Sequence, residues 1–174
     1  PSTNPTSTII CNAIGMLAAG NAVVFCVHPM ARACSMATVA LLNQAIRGAG
    51  GPPDVVTCIA NPSIAAAQEV MAHPGVRLLV VTGGGAVVKA AMASGKRAIC
   101  AGPGNPPVVV DETANLEKAG RDIVLGASTD NNIICVDEKS VFVVDAVADR
   151  LLAAMAAAGA VILDRARLPE LSRT

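Results

Sequence analysis

The stretch "RLLVVTGGGAVVKAA" (77–91) decides the fold class, because a short apolar run leads through three glycines directly into a helical pattern. A strand followed by a glycine turn and a helix is typical of α/β proteins. Six apolar runs predict strands: 22–27, 54–59, 77–82, 97–100, 106–110 and 140–144. The segments between and beside them predict helices: 6–19, 30–48, 63–73, 84–95, 114–127 and 146–158. The alternation predicts a parallel α/β sheet, and the unbroken Val, Ile and Leu character of the runs predicts helices on both faces.

A Gly/Pro-rich segment, "AGPGNPP" (101–107), separates two strand candidates and marks the predicted domain boundary. We predict one α/β unit over residues 1–103 and the start of a second over residues 104–174. The second unit is near the lower end of domain size, so we expect further strands outside this sequence to complete it. The chain has no initiator Met, and we expect it to be a piece of a longer protein.

Composition and charge argue against several classes of function. The 174 residues carry 13 basic and 13 acidic side chains, no Trp or Tyr and two Phe. A neutral chain without stacking aromatics lacks the features of a nucleic-acid binder. The first 30 residues contain no charged side chain, but Asn12 and Asn21 interrupt this apolar stretch. We therefore predict a helix followed by a strand there, and no membrane span.

The six cysteines are scattered, and none forms a CxxC pair. The two histidines also lie far from any cysteine pair, so we predict no metal site. Isolated cysteines indicate a reducing compartment, and for five of them we expect buried apolar packing. Cys135 lies in a predicted loop with no base near it in sequence. Spacing alone leaves it open whether Cys135 is a nucleophile or, as is more common, inert.

Three other segments allow both a functional and a structural interpretation. The turn at Thr82, Gly83 and Gly84 could hold a phosphate or a nicotinamide ring at a helix N-terminus, although it does not match GxGxxG and could be a simple turn. His28, followed by Pro29, could contact a ligand at the carboxyl end of a strand, or bond only to its own backbone. Asn4, in "PSTNP", could cap a helix or donate its amide to an oxyanion.

Together these segments resemble the aldehyde dehydrogenase superfamily, and more closely its CoA-acylating branch from bacterial microcompartments. The resemblance covers nearly the whole chain and rests on these motifs: "TNPT", "IGMLAAGNAVVF", "HP", "HPGVRLLVVTGGG", "AGPGNPPVVVDETANLEKA" and "GASTDNNIICVDEKSVFVV". It implies that residues 1–103 are part of a Rossmann-like NAD-binding domain with a non-standard binding mode. Residues 104–174 would be the N-terminal part of the catalytic domain.

The resemblance also implies roles for individual residues. Cys135 falls at the family's nucleophile and Asn4 at its oxyanion-stabilising asparagine. Thr82, Gly83 and Gly84 match the turn beside the nicotinamide. We also expect His28 and Pro29 to contact the cofactor.

Ala101 marks a departure from the hydrolytic members of the superfamily. At this position those enzymes carry a Glu that activates water to cleave the acyl-enzyme. Without it, we expect a Cys135 thioester to be passed to coenzyme A. The implied function is NAD-dependent oxidation of a short-chain aldehyde, propionaldehyde or acetaldehyde, to acyl-CoA.

The resemblance leaves two alternatives open. The chain could belong to a bifunctional aldehyde–alcohol dehydrogenase, or it could be a non-catalytic nucleotide-binding fragment. For the parent protein we expect a homo-oligomer in the cytoplasm or in a microcompartment lumen, packaged in the shell in the latter case. We expect the isolated 174 residues to be inactive, because later catalytic segments of the family are not among them.

Overall fold

The computed structural model describes the backbone of residues 2–171 and the side chains of residues 2–169. The chain divides into two compact units, Pro1–Pro103 and Gly104–Thr174. The ends of the two predicted domains, at residue 1 and residues 172–174, lie outside the described residues. That the first unit binds NAD and the second carries the nucleophile stays a prediction.

The first unit contains two pairs of parallel strands, each joined through a helix. Its elements are α1 (Pro5–Ala18), β1 (Val23–Phe25), α2 (Arg32–Gly48), β2 (Val56–Cys58), α3 (Ile64–Ala72), β3 (Leu78–Thr82), α4 (Gly85–Ala93) and β4 (Arg97–Ala101). β1 pairs with β2, and β3 pairs with β4, so that Thr82 lies opposite Ala101. Two parallel strands that pair need a crossover connection between them. Here α2 connects β1 to β2, and α4 connects β3 to β4.

The second unit is built around one parallel pair. Its elements are β5 (Pro107–Val110), α5 (Leu116–Ser128), β6 (Ser140–Val143), α6 (Asp145–Ala157) and a short α7 (Leu168–Leu171). A 3₁₀ turn, Thr129–Asn132, follows α5 directly. β5 and β6 are parallel, with Val110 opposite Val143. All six predicted strands and all six predicted helices are present, and the parallel α/β class is confirmed.

The core of the first unit lies between α1, α2 and the β1–β2 pair. The apolar residues that it buries are Ile9, Ala13, Val23, Val39 and Val56. Asn43 of α2 is also buried, and its side-chain amide donates to the carbonyl of Val56 at 2.7 Å. This bond ties α2 to the strand that follows it.

The core of the second unit lies between β5, α5 and α6. It buries Val110, Leu116, Ile123, Val147 and Leu151. At Gly120 the two helices approach so closely that a Cβ would lie 2.7 Å from the Cβ of Ala154. The helix pair therefore requires a residue without a side chain at this point.

The other face of the β5–β6 pair is left open by the described residues of the second unit. Val109 is 78% exposed and Phe142 is 62% exposed. Apolar strand side chains point alternately to the two faces of a sheet, and within the second unit helices bury only one of them. Among the described residues, no helix has the length and apolar character to cross a membrane.

Candidate functional site

Cys135 lies on the loop between the 3₁₀ turn and β6, and its side chain is exposed. Three residues before it, Asp130, Asn131 and Asn132, have left-handed backbone with φ of 46°, 55° and 60°. Asn and Asp tolerate this region best, but each such residue outside glycine still costs about 1–2 kcal/mol. Backbone strain of this kind collects at functional sites, and here it lies three to five residues before the candidate nucleophile.

The main-chain N–H of Cys135 makes no hydrogen bond with any described residue, and neither does its thiol. The neighbouring Ile134 N–H, in contrast, donates to the carboxylate of Asp137 at 3.1 Å. An unpaired N–H beside an exposed thiol is the arrangement that an oxyanion formed at that sulfur requires.

Asn4 occupies the N-cap position of α1, yet its side chain does not cap the helix. Its Oδ1 accepts instead from the hydroxyl of Thr3 at 2.9 Å. Its Nδ2 donates to no described residue. Asn4 thus stands at the start of the helix without capping it through its side chain, and its amide donor remains available for a ligand; the oxyanion role stays a prediction.

The glycine turn joins β3 to α4 and has almost no side-chain surface. Gly83 has φ of +156°, and a Cβ there would lie 2.9 Å from Val87. Gly84 is the N-cap of α4, and its carbonyl accepts from the N–H groups of Val87 and Val88. The first N–H groups of the helix have no intrahelical partner, as at any helix start. This open turn fits the phosphates or the nicotinamide of a dinucleotide.

Ala101 is the last residue of β4 and lies beside this turn. It is paired with Thr82, and its carbonyl accepts from the N–H of Gly83 at 3.2 Å. Thr82, Gly83 and Ala101 therefore meet at the carboxyl end of one strand pair, the edge at which α/β sheets bind ligands.

His28 and Pro29 begin the short 3₁₀ turn Pro29–Ala31 after β1. The Nδ1 of His28 accepts from the N–H of Met30 at 3.2 Å, and Pro29 occupies the first position of the turn. This bond places the proton of a neutral imidazole on Nε2, which can donate to a ligand. The structure thus shows His28 bonded to the nearby backbone, while its contact with the cofactor stays a prediction.

A cavity of about 760 Å³ lies within the first unit, between β1 and β3. Thr82, Val27 and Val87 line it, as does the buried Ser35, whose Oγ has no hydrogen-bond partner. Gly83, Gly84, His28 and Pro29 are not among the lining residues. The cavity therefore borders the glycine turn through Thr82, while the place of the nicotinamide stays a prediction.

The expectation that the other five cysteines are buried is wrong. Cys11, Cys26 and Cys34 are exposed, and Cys58 and Cys100 are half-buried. The cause is that the helices and strands carrying them have faces that this chain does not cover. Among the described residues, no group of three or more His, Cys, Asp or Glu side chains could hold a metal ion.

Sequence reasoning missed Gly104, which lies against the loop of Cys135. A Cβ built on Gly104 would overlap the carbonyl oxygen of Cys135 and lie 3.2 Å from the carbonyl carbon. In the sequence, the "GPGNPP" segment indicates a domain boundary and a family motif, but not a contact with Cys135. Gly104 does not have the positive φ that favours glycine, so glycine is needed there because of close packing against Cys135. Only the three-dimensional structure shows that packing.

The chain is similar to known sequences over nearly its whole length. The profile of the aldehyde dehydrogenase family matches residues 3–163. An acetylating acetaldehyde dehydrogenase, EutE, of Salmonella typhimurium is 55% identical over 98% of this chain and 37% of its own length. The bifunctional aldehyde-alcohol dehydrogenase AdhE of Escherichia coli is 40% identical over 94% of this chain and 18% of its own.

Solved structures show the same similarity. A propionaldehyde dehydrogenase of Rhodopseudomonas palustris, with bound CoA and an acylated cysteine, has a TM-score of 0.87 and 53% identity over 98% of this chain and 39% of its own. A propionaldehyde dehydrogenase from a Clostridium phytofermentans fucose-utilisation microcompartment has a TM-score of 0.88 and 44% identity, covering 99% and 40%. The chain thus spans well under half the length of these relatives.

Proposed function

The chain belongs to the aldehyde dehydrogenase family, and from this we propose that the protein oxidises a short-chain aldehyde to acyl-CoA, with NAD as the hydride acceptor. The observation that carries the proposal is the exposed Cys135 thiol beside its own unpaired N–H. The names of the relatives support propionaldehyde or acetaldehyde as the substrate.

In the proposed reaction Cys135 first adds to the aldehyde. Its thiol first gives its proton to solvent, and the thiolate sulfur then forms a bond to the carbonyl carbon while the carbonyl electron pair moves onto oxygen to give a hemithioacetal oxyanion. The N–H of Cys135 and the amide of Asn4 donate to this oxygen. Removing one such donor costs about 3–4 kcal/mol of transition-state stabilisation in well-studied enzymes.

The oxyanion then collapses to a thioester on Cys135. NAD, when bound, takes up the hydride that leaves the carbon. We propose that the open turn at Gly83 and Gly84, with the free N–H groups that begin α4, holds part of the cofactor, and that Thr82, His28 and Pro29 contribute contacts. The absence of Cβ atoms on the turn fits a ligand that packs against backbone.

In the last step the acyl group leaves Cys135. The sulfur of CoA forms a bond to the acyl carbon, the bond to Cys135 breaks, and its sulfur departs with the electron pair. Ala101 provides no carboxylate that could activate water in competition with CoA. The thioester should therefore persist until CoA arrives.

The central experiment replaces the nucleophile in the intact protein. Cys135→Ala should abolish NADH formation from propionaldehyde or acetaldehyde with NAD and CoA present, because no thioester can form. Cys11→Ala, an exposed cysteine on α1, is the matched control and should retain activity. Full activity in the Cys135 variant would refute the proposal.

The match to AdhE supports a second candidate, a bifunctional aldehyde–alcohol dehydrogenase. Mass measurement of the intact parent protein distinguishes the two, since a fused enzyme is far longer than a stand-alone one. A non-catalytic nucleotide-binding protein would bind NAD without forming NADH from an aldehyde.

We also propose that the parent protein is a cytoplasmic homo-oligomer that can be enclosed in a microcompartment. The support is the microcompartment origin of a structural relative. Sedimentation of the intact protein tests the oligomer, and co-purification with isolated shells tests the enclosure. A monomer absent from shells would reject this part.

A further inference from the structure

Lys139 holds the loop of Cys135 from both sides. Its ammonium donates to the carbonyls of Asn132 at 3.2 Å, Ile134 at 3.1 Å and Asp137 at 3.3 Å. A lysine ammonium has three donors and no acceptor, so all three are used on one loop. Two of the three acceptors precede Cys135 and one follows it.

The main chain of Lys139 is itself fixed to the sheet. Its N–H donates to the carbonyl of Pro106 at 3.1 Å, directly before β5. The ammonium therefore extends from a point anchored beside the β5–β6 pair. Lys139 therefore links the loop of Cys135 to the start of β5.

Two further side chains close the loop. The carboxylate of Asp137, which is 5% exposed, accepts from the N–H of Ile134, and the N–H of Asp137 donates back to the carbonyl of Ile134 at 3.2 Å. The amide of Asn132 donates to the carbonyls of Ala127 and Glu138, at 2.6 and 3.0 Å. These bonds hold the left-handed turn in place against its strain.

The backbone around Cys135 is therefore hydrogen-bonded at several carbonyls but not at the N–H of Cys135. The carbonyl of Ile134 accepts from the ammonium of Lys139 and from the N–H of Asp137, whereas the N–H of Cys135 bonds to no described residue. The carbonyl of Ile134 and the N–H of Cys135 belong to one planar peptide unit and point in opposite directions, so the bonds to that carbonyl fix the direction of the N–H. The carbonyls of both flanking stretches are bonded to Lys139.

We propose that Lys139 is a positioning residue, which aims the N–H of Cys135 at the oxyanion of the bound substrate. The inference rests on the proposed function, in which Cys135 is the nucleophile. Lys139 contacts neither substrate nor cofactor in this role. Its contribution lies in the geometry of the donor, and misplacement by about 1 Å can cost about a hundredfold in rate.

The test compares two reactions of Cys135 in the intact protein. Transfer of acetyl from p-nitrophenyl acetate adds the sulfur to a carbonyl and expels p-nitrophenolate through an oxyanion. Alkylation by iodoacetamide displaces iodide from a saturated carbon and develops no oxyanion. In Lys139→Met we expect acetyl transfer to fall about tenfold to a hundredfold, with alkylation changed less than about threefold.

Lys118→Met on α5 is the matched control, because the Lys118 ammonium is exposed and, in the part of the chain that the structure describes, pairs with Asp122 alone. It should leave both reactions unchanged. If Lys139→Met does not fold, as judged by circular dichroism, Lys139→Arg replaces it. A planar guanidinium cannot direct its donors at the three carbonyls in the same way, so acetyl transfer should again fall more than alkylation.

Two outcomes overturn the inference about Lys139, and a third overturns the proposed function on which it rests. Equal loss of both reactions would mean that Lys139 only keeps the loop folded. Unchanged acetyl transfer in the folded Met or Arg variant would mean that its bonds do not aim the donor. Lack of acetyl transfer in the unsubstituted protein would instead refute the proposed function. This result is distinguishable from the other two, because it is measured without any variant.

Discussion

Gly104 lies directly against the main chain of Cys135, with no room for a methyl group between them. A Cβ on Gly104 would overlap the carbonyl oxygen of Cys135 and lie 3.6 Å from its Cβ. The φ of Gly104 is not in the left-handed region. The requirement for glycine here is therefore steric, and the three atoms nearest to an added Cβ all belong to Cys135.

Gly104→Ala should displace the carbonyl of Cys135 and reduce aldehyde oxidation about tenfold to a hundredfold. Gly102→Ala is the control, since a Cβ there meets nothing within 4 Å. Steady-state NADH formation and thermal unfolding of both variants provide the measurement. Equal activity of the two folded variants would contradict the steric argument.

Asn4→Asp should lower kcat about 100- to 1,000-fold, because it replaces the free amide donor with an acceptor. The stability should hold, since Asp serves at an N-cap as well as Asn. Asn4→Ala loses the donor too. A kcat for Asn4→Asp close to that of the parent would show that the amide does not stabilise the oxyanion.

Ala101→Glu should add acid formation in the absence of CoA, because a carboxylate at the end of β4 could activate water against the thioester. Ala101→Gln is similar in shape but has no base, and it should form none. Chromatographic detection of the carboxylic acid in single-turnover mixtures distinguishes them. Acid from both variants, or from neither, would argue against the role assigned to this position.

The cysteines should differ in their reaction with iodoacetamide at neutral pH. Although the Cys26 side chain as a whole is exposed, packing around its sulfur raises the pKa of this thiol. Burial also raises the pKa of Cys58; the nearby Cys26 charge adds to this, and Arg32 opposes it. A raised pKa leaves less thiolate at neutral pH, so Cys26 and Cys58 should label after Cys135, and faster as the pH rises.

Peptide mass spectrometry over a pH series measures this order. Cys26→Ala should speed the labelling of Cys58, because the neighbouring charge that raises its pKa is removed. Protection of Cys135 alone by aldehyde would support its place in the site. Labelling of Cys58 before Cys135 at neutral pH would contradict the prediction.

Gly120→Ala should destabilise the protein by about 1–3 kcal/mol, because the new methyl group would overlap the backbone of α6 near Ala154. Gly15→Ala, in α1, is the control. A Cβ on Gly15 meets nothing within 4 Å, so alanine there should stabilise the helix by about 0.5–1 kcal/mol. Urea unfolding tests both, and a stabilised Gly120 variant would show that the helices can separate without cost.

Much of the fold was predictable because its signals are local. Apolar runs and glycine turns located the six strands and helices α1 to α6 to within a few residues, since burial imposes a period and length on the sequence; the short α7 was not predicted. The burial of Cys11, Cys26 and Cys34 was predicted wrongly. A cysteine indicates apolar preference but not whether another element covers its face of a helix or strand.

The candidate site was predictable only in part. Its residues came from a resemblance between motifs, and no property of Cys135 in the linear sequence distinguished it from an inert thiol. The structure adds that Asn4 leaves its amide unused and that Cys135 leaves its N–H unpaired. Neither can be inferred from residue type, because Asn at a helix start commonly caps it.

By itself, the sequence of this protein determined the order of its strands and helices and the parallel α/β class, since both follow from periodicity and turn chemistry along the chain. Only the tertiary structure decided that Gly104 packs on Cys135, that Lys139 gathers three carbonyls of one loop, and that Gly120 brings two helices together. The residues that flank these positions in sequence do not indicate that the contacts form. They depend on how the second unit closes around its core, which is a property of packing in three dimensions.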